Sequence, residues 1–294
     1  MPATLTPLRY PGGKTKYTDL FIDIITANHL ENCTFVEVFA GGAGAAISLL
    51  LKGYVNSLLL NDLDIAIYSF WKSVKEYPDE FIKLVRNTRV SMAEWKRQKT
   101  IYERKDKSDA LALGFATFYL NRCNRSGILG ARPIGGMEQK GAYKINSRYN
   151  KITSINKINA IAKHANNIEI FNLDGVSFLK LIEKQYENQK YLLYLDPPYY
   201  QKGPALYLNH FRHDDHLALR DAILECTFPW VLSYDYNEKI VDMYHNSNCK
   251  LYQHQIRHTI TGNTYAKELI ISKLRLPDYL SELQRHDNRR RRWA

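Results

Sequence analysis

The nine residues Tyr191–Tyr199, YLLYLDPPY, constrain the fold more than any other stretch of the chain. The apolar run Tyr191–Leu195 predicts a short buried strand. Two prolines follow Asp196; they fix φ at successive residues and disfavour a helical conformation at the residue before them. A stiff loop with one carboxylate and one aromatic ring, Tyr199, therefore follows the strand. In open α/β sheets ligands bind at the carboxyl ends of the strands.

This loop suits the activation of an exocyclic amine on a planar base. The Asp196 carboxylate and the Pro197 carbonyl can accept its two hydrogens, which favours the positively charged nitrogen that forms as the amine attacks an electrophile. Fixed groups that stabilise developing charge often supply the largest part of catalysis. Tyr199 would supply a stacking face, and Pro198 stiffens the turn. The structural alternative is an ordinary strand end with a Pro-Pro turn.

The first half of the chain predicts a nucleotide-binding α/β unit. A strand at Thr34–Ala40 is followed by Gly41, Gly42 and Gly44 and then by a helix. A second strand, Ser57–Leu60, ends just before Asp62, which is well placed to bind ribose hydroxyls. Asp64 competes for that role, although it also fits a helix N-cap.

Helices are expected from residue 65 to residue 121, which interrupts the alternation of strands and helices. Later strands are predicted at 168–172 and 230–233, and Asp174 begins a helix either as an N-cap or beside a bound purine. Two closing strands, Lys250–Gln255 and Glu268–Ser272, are expected to be joined by a polar connection over Ile256–Lys267. The predicted divisions are a first catalytic part at 1–89, a recognition subdomain at 90–165, a second catalytic part at 166–276 and a basic tail at 277–294.

The amino-terminal segment Leu8–Lys14 combines Gly12 and Gly13 with a lysine, so that the backbone can approach a ligand closely beside a positive charge. A nucleoside-triphosphate loop would need glycine where Leu8 stands, which excludes that class. The structural alternative is a solvated turn.

Charge favours a polyanionic partner. The chain has 41 Lys or Arg against 30 Asp or Glu, a formal net charge of +11. The segment Asn121–Gly136 is rich in Gly, Asn and Arg, and basic and aromatic residues continue beyond it, so it predicts a nucleic-acid surface. A mobile solvated loop is the alternative. The candidate contacts are Arg122, Asn124, Arg125, Arg132, Lys144, Arg148, Tyr149 and Asn150.

The four cysteines are widely spaced and form no metal-ligand pattern, so no metal is expected. Reduced thiols and the absence of a signal peptide or an apolar membrane span favour the cytoplasm.

Five features follow one another along the chain in an order that resembles the Dam-type (D12 class) adenine-N6 DNA methyltransferases. They are Tyr-Pro-Gly-Gly-Lys, the strand–glycine turn–helix, the acid after the second strand, the basic segment and Asp-Pro-Pro-Tyr. The resemblance runs from about Leu8 to Lys273. It implies a Rossmann-like methyltransferase fold, with a mostly parallel sheet, an antiparallel strand near the carboxyl terminus and an inserted target-recognition subdomain. It also implies S-adenosylmethionine as methyl donor and adenine N6 in double-stranded DNA, flipped out of the duplex, as acceptor.

Several residues carry the resemblance to the cofactor site. Those matching the family's cofactor motifs are Tyr10, Gly12, Gly13, Lys14, Phe39, Gly41, Gly44, Asp62, Asp174 and Asp196. Asp196, Pro197, Pro198 and Tyr199 match the catalytic loop. Arg148, Tyr149 and Asn150 resemble the end of the target-recognition region, which is compact here.

Four alternatives stay open at this point. An RNA adenine methyltransferase would use the same site, and a DNA-binding regulator could retain a decayed methyltransferase fold. A protein-glutamine methyltransferase would carry Asn in place of Asp196, and cytosine-N4 enzymes favour Ser or Thr there. The sequence also leaves open the recognised site and a restriction or defence partner protein.

Overall fold

The computed structural model describes residues 4–9, 13–185, 190–200, 211–258 and 264–283, apart from the side chains of 255–258 and 264–266. Within these ranges the helices are α1 (Thr18–Ala27), α2 (Gly44–Leu51), α3 (Ile65–Glu76), α4 (Pro78–Asn87), α5 (Met92–Arg104), α6 (Ala110–Cys123), α7 (Lys151–Ala162), α8 (Gly175–Gln185), α9 (His213–Glu225) and α10 (Glu238–His245). The strands are β1 (Thr34–Glu37), β2 (Ser57–Asn61), β3 (Ile168–Phe171), β4 (Tyr191–Leu195), β5 (Trp230–Asp235), β6 (Lys250–His258), β7 (Thr264–Ser272) and β8 (Ser281–Glu282).

The strands form one sheet in the order β3-β2-β1-β4-β5-β7-β6-β8. The first five strands are parallel to one another, and the pairs β5–β7, β7–β6 and β6–β8 are antiparallel. This confirms the predicted α/β class with a mostly parallel sheet and antiparallel strands near the carboxyl terminus. The strand that begins the catalytic stretch lies at Tyr191–Leu195, as its apolar run predicts.

Side chains alternate across the sheet and build a core on each face. On β1, Phe35 belongs to one core together with α1 to α7, whereas Val36 belongs to the other with α8 to α10. On β4, Tyr194 faces the first core and Leu195 the second. Both strands are fully buried. In β4 this burial on both faces matches a continuous apolar run without alternation.

The chain leaves β1 toward β2 on one side, while β4 pairs with β1 on the other. The strand order therefore reverses between β1 and β4, and a crevice for ligands is expected at their carboxyl ends. The glycine turn follows β1 and the Asp-Pro-Pro-Tyr loop follows β4, so topology brings the two motifs to one place.

Two sequence expectations need correction. The stretch Ile256–Lys267 is not simply a polar connection, because β6 continues to His258 and β7 begins at Thr264, in register from Lys250–Ser272 to His258–Thr264. Antiparallel pairing lengthens both strands, although their polar residues predict a loop. Helix α1, which the sequence reasoning missed, buries Leu20, Phe21, Ile24 and Ile25 in the first core.

None of the helices within the described ranges has both the length and the apolar character needed to cross a membrane. The division into residues 1–89, 90–165, 166–276 and 277–294 stays a prediction.

Candidate active site

Asp196 is the first residue after β4, and its carboxylate is held through a single oxygen. Lys14 Nζ lies 3.0 Å from Oδ1, and Ser233 Oγ donates to the same oxygen at 2.9 Å. Ser233 lies on β5 beside β4 and is itself 2.8 Å from Tyr194 Oη. Among the described residues nothing hydrogen-bonds Oδ2, and Asp196 lines a cavity with 22% of its side chain exposed. One oxygen is thus fixed by the protein and the other is available to a ligand.

Lys14 is shared with a second carboxylate that sequence reasoning missed. Glu268, on β7, accepts from Lys14 Nζ through Oε2 at 3.1 Å. The Tyr17 hydroxyl donates to the same oxygen, and the Tyr199 hydroxyl donates to Oε1 at 3.0 Å. Glu268 is only 3% exposed. A glutamate in an apolar strand segment, Glu268-Leu-Ile-Ile-Ser272, was the available signal, because a carboxylate is almost never fully buried without partners.

The charges of this cluster shift its pKa values in different directions. Burial alone would lower the pKa of Lys14, but Asp196 and Glu268 outweigh it, and the pKa lies well above its usual value. Burial raises the pKa of Asp196, and Lys14 offsets only part of that rise while Glu268 adds to it. For Glu268, burial is outweighed by Lys14 and by hydrogen bonds from Tyr17, Lys14 and Tyr199, so its pKa is lowered. Lys14 therefore stays charged and Glu268 stays ionised.

The Tyr199 side chain contacts Glu268 and Lys14. It is 8% exposed, its hydroxyl bonds Glu268, and Lys14 Nζ lies 5.5 Å from its ring centroid. From the catalytic loop, Asp196 and Pro198 line the cavity. Stacking of Tyr199 on a base stays a prediction.

The glycine turn lies opposite this loop. Gly41 has φ of +46°, a left-handed conformation that glycine adopts without strain, and its N–H donates to Asp62 Oδ2 at 2.8 Å. Asp62 also accepts from Asp64 N at 2.9 Å, and burial raises its pKa to about 7. Asp64 caps α3 by accepting from Ala66 N at 3.1 Å, as predicted. The position of Asp62 on the cavity wall fits a role with ligand hydroxyls.

Gly44 is required by the protein itself. A Cβ at this position would lie 2.4 Å from Thr15 Oγ1, so a side chain would push away the segment that carries Lys14. Close packing of residues 13–17 on α2 is one reason for this glycine. Gly44 also lines the cavity, so its contact with a ligand stays a prediction. Gly13, which precedes Lys14, lines the cavity.

Glu37, at the end of β1, is a second residue that sequence reasoning missed. Its Oε1 accepts weakly from Ala46 N at 3.4 Å, and its buried Oε2 has no hydrogen-bond partner among the described residues. Burial raises its pKa to about 8. An unsatisfied carboxylate oxygen on a cavity wall calls for a donor from a ligand, and an ammonium group fits it.

The cavity has a volume of about 1260 Å³, above the range of roughly 300–1,000 Å³ that is usual for small-molecule pockets. Phe39 and Asp174 also lie on its wall. Asp174 Oδ1 accepts from Ser177 N at 2.9 Å, so it acts as an N-cap of α8 and faces the cavity as well. Tyr10 and Gly12, expected to bind the cofactor, lie outside the described residues.

The structure separates the basic-segment candidates into exposed and buried side chains. Arg125, Arg132, Lys144 and Arg148 are exposed. Arg122 is not in a loop: it lies in the last turn of α6, half-buried, with Nη1 donating to Pro7 O at 3.5 Å. Asn150 is exposed and caps α7 by accepting from Thr153 N at 3.0 Å.

Two of these candidates were assigned wrongly. Asn124 is fully buried, accepts from Trp95 Nε1 at 2.7 Å and donates to the carbonyls of Ile128 and Leu129. Tyr149 is 7% exposed and packs against the rings of Phe118 and Tyr119. Both side chains hold the segment in place, so neither is available to a nucleic acid.

The mostly parallel sheet carries the Asp-Pro-Pro-Tyr loop and the glycine turn on either side of its switch point, the arrangement that the resemblance to methyltransferases implies. The family model for the D12 class N6 adenine-specific DNA methyltransferases matches residues 10–260. Because this covers most of the chain, the protein belongs to that family.

Other similarities are shorter or more distant. The modification methylase StsI of Streptococcus sanguinis is 30% identical over 95 residues, which is 32% of this chain but only 13% of that protein. Among solved structures, the rRNA methyltransferase aviRa of Streptomyces viridochromogenes has 10% identity and a TM-score of 0.40, covering 90% of this chain and 86% of that one. The putative methyltransferase yhhF of Escherichia coli has 12% identity and a TM-score of 0.33, covering 91% and 92%.

Proposed function

We propose that the protein is a DNA (adenine-N6)-methyltransferase that uses S-adenosylmethionine and acts on an adenine flipped out of double-stranded DNA. The observation that carries the proposal is the Asp196 carboxylate, held through Oδ1 by Lys14 and Ser233 with Oδ2 available at the cavity. Family membership supports methyl transfer to adenine.

The residues on the cavity wall fit the proposed cofactor. The unsatisfied Oε2 of Glu37 suits the ammonium of a methionine group, and Asp62 suits ribose hydroxyls. Asp174 lies close enough to the cavity to contact the purine, and Phe39 adds an apolar face. When bound, S-adenosylmethionine supplies a methyl group on a positively charged sulfur. This electrophile needs no further activation before the amine attacks it.

Asp196 then acts on the amine. Its Oδ2 accepts a hydrogen bond from N6, and we assign the second hydrogen of the amine to the Pro197 carbonyl. These bonds favour a nitrogen that carries developing positive charge, and the fixed loop holds them without reorganisation. Proximity supplies much of the remaining rate, because transfer is largely a matter of alignment.

Charge near the cavity supports a nucleic-acid substrate. Burial and the nearby Arg9 lower the pKa of Arg122 to about 10, and burial and Arg148 lower that of Arg9. Arg9 Nη1 and Arg122 Nε are buried without hydrogen-bond partners among the described residues. Cations that repel one another at the edge of a site would be stabilised by phosphates, and Arg9 lines the cavity itself. Arg125, Arg132, Lys144 and Arg148 extend the positive surface.

Expression in a host that lacks DNA methylation, followed by sequencing that maps modified bases, tests the proposal. N6-methyladenine at one recurring sequence is the expected result. Transfer of radioactive methyl to duplex DNA, single-stranded DNA and RNA by the purified protein identifies the substrate. Preference for RNA, or cofactor binding without transfer, would contradict the proposal and favour an RNA methyltransferase or a decayed regulator.

A cytoplasmic location and a restriction or defence partner protein also remain part of this proposal.

A further inference from the structure

Three ionisable groups from distant parts of the chain lie together beside the cavity. Lys14 Nζ lies 3.0 Å from Asp196 Oδ1 and 3.1 Å from Glu268 Oε2. Lys14 and Glu268 are 7% and 4% exposed at their side chains, so water screens their charges little. The Lys14 ammonium is therefore divided between two carboxylates.

The charge of this cluster depends on the second carboxylate. With Lys14 and Asp196 alone, the site would be a neutral ion pair, and the lysine would neutralise most of the electrostatic effect of Asp196. With Glu268 also ionised, the cluster carries one net negative charge. Glu268 receives hydrogen bonds from Lys14, Tyr17 and Tyr199, and three donors on one carboxylate are the environment of its ionised form.

We propose that Glu268 is a positioning residue for methyl transfer: it draws Lys14 away from full pairing with Asp196 and leaves one negative charge facing the amine. This inference rests on the proposed function. Positive charge builds on N6 during transfer, and a net negative cluster stabilises it, whereas a neutral pair does not. Glu268 touches neither substrate nor cofactor in this account; it acts through Lys14 and Asp196.

Other titratable groups lie near the cluster. Tyr17 and Tyr199 bond Glu268, the His254 ring lies 5.6 Å from the Tyr17 ring, and burial together with the charge of Asp196 raises the pKa of Glu37. Burial lowers the pKa of His254, so that this side chain is mostly neutral at pH 7. Burial raises the pKa of both Tyr17 and Tyr194, and their phenols stay protonated. With saturating cofactor, so that the titration of Glu37 no longer limits binding, Asp196 is therefore the group of this cluster whose titration should limit transfer at low pH.

A comparison of Glu268→Gln with Glu268→Asp separates charge from packing. Glutamine keeps the shape and can still hydrogen-bond but removes the charge; aspartate keeps the charge but is one methylene shorter. If charge matters, the single-turnover rate falls about 10²-fold in Glu268→Gln and by less in Glu268→Asp. If Glu268 only fills space, Glu268→Gln is the more active variant, and the proposal is overturned. Glu282→Gln, an exposed acid on β8 of the same sheet, is the matched control and should keep the wild-type rate.

The titration of the Asp196 carboxyl group can be measured without an assay of methyl transfer. With ¹³C-labelled aspartate, assigned by Asp196→Asn, the midpoint of Asp196 should move to lower pH in Glu268→Gln, because a neighbouring negative charge has been removed. An unchanged midpoint would overturn the inference even in an active enzyme. If wild type instead transferred no methyl to DNA while the midpoint moved as expected, the proposed function would fail and the electrostatic role of Glu268 would stand.

Discussion

At the scale of single residues, the two carboxylate oxygens of Asp196 have different environments. Oδ1 is fixed by Lys14 and Ser233, and Oδ2 is left for the ligand. The sequence predicted this carboxylate and Lys14, because the Pro-Pro turn and the Gly-Gly-Lys segment are local patterns. Ser233 and Glu268 reach the site only through the pairing of β4 with β5 and of β5 with β7, so the sequence could mark Glu268 as a buried glutamate but not as a partner of Lys14. Glu37 reaches it through the pairing of β1 with β4.

Replacement of Asp196 by asparagine should reduce methyl transfer about 10³-fold, because the amide removes the negative charge that stabilises the amine nitrogen. Cofactor affinity, measured by calorimetry, should change by less than about threefold. Asp106→Asn, on the exposed turn between α5 and α6, is the matched control. Turnover near the wild-type value in Asp196→Asn would exclude Asp196 from the chemistry.

Glu37 predicts a pH dependence of cofactor binding. Burial raises its pKa to about 8, so below that pH most of the protein carries a neutral Glu37 that must lose its proton to pair with an ammonium. Affinity should therefore rise between pH 6 and 7.5, by a factor that approaches tenfold per pH unit. Calorimetry across this range should show the full slope in wild type and in Glu76→Gln, an exposed control on α3, and a shallower slope in Glu37→Gln, where Asp62, with a pKa of about 7, still titrates. The same slope in Glu37→Gln would assign the titration to another group.

At the scale of elements, strands and long helices follow from hydrophobic patterns, whereas the ends of polar strands do not. The predicted and observed bounds of β4 agree, because a fully buried strand bounded by proline is defined by its own sequence. Strands β6 and β7 run past their predicted ends, because a partner strand can hold polar residues in an extended ladder. The basic segment after α6 stays a predicted nucleic-acid surface, and the inward direction of Asn124 and Tyr149 depends on packing that no local pattern encodes.

Gly44→Ala should damage the site through the contact between α2 and residues 13–17. Its Cβ would meet Thr15 Oγ1 at 2.4 Å, so we expect a lower melting temperature and weaker cofactor binding as Lys14 is displaced. Removing the hydroxyl in Thr15→Ala/Gly44→Ala should restore part of both losses. Gly130→Ala, where a Cβ meets nothing within 4 Å, is the control for stability. A Gly44→Ala protein as stable as wild type would contradict the packing argument.

Tyr149→Phe should leave DNA affinity unchanged and stability equal or higher. The Tyr149 hydroxyl is buried without a hydrogen-bond partner among the described residues, and removing such a group relieves a desolvation cost of about 1–3 kcal/mol. Asn124→Ala should instead lower the melting temperature, because three buried hydrogen bonds are lost. Thermal unfolding and fluorescence-anisotropy binding measure both effects. Weaker DNA binding by Tyr149→Phe would show that the Tyr149 hydroxyl belongs to the DNA interface.

At the scale of the whole molecule, the net charge of +11 and the exposed arginines after α6 predict a strong dependence of DNA binding on salt. The logarithm of the association constant should fall linearly with the logarithm of the salt concentration. Arg125→Gln and Arg132→Gln should each make that slope about one unit shallower if they contact phosphates. Glu138→Gln, an exposed residue in the same segment, should not make it shallower. Affinity that is constant over a wide salt range would contradict a phosphate-binding surface.

The Lys14–Glu268 contact joins residues 254 positions apart, and β7, which carries Glu268, is inserted between β5 and β6. During synthesis, the glycine turn and the Asp-Pro-Pro-Tyr loop leave the ribosome well before β7 can take its place in the sheet. If Glu268 has the proposed role, a nascent chain completes the charge around Asp196 only when β7 has emerged. On the proposed function, prematurely terminated products that lack β7 would transfer methyl groups poorly.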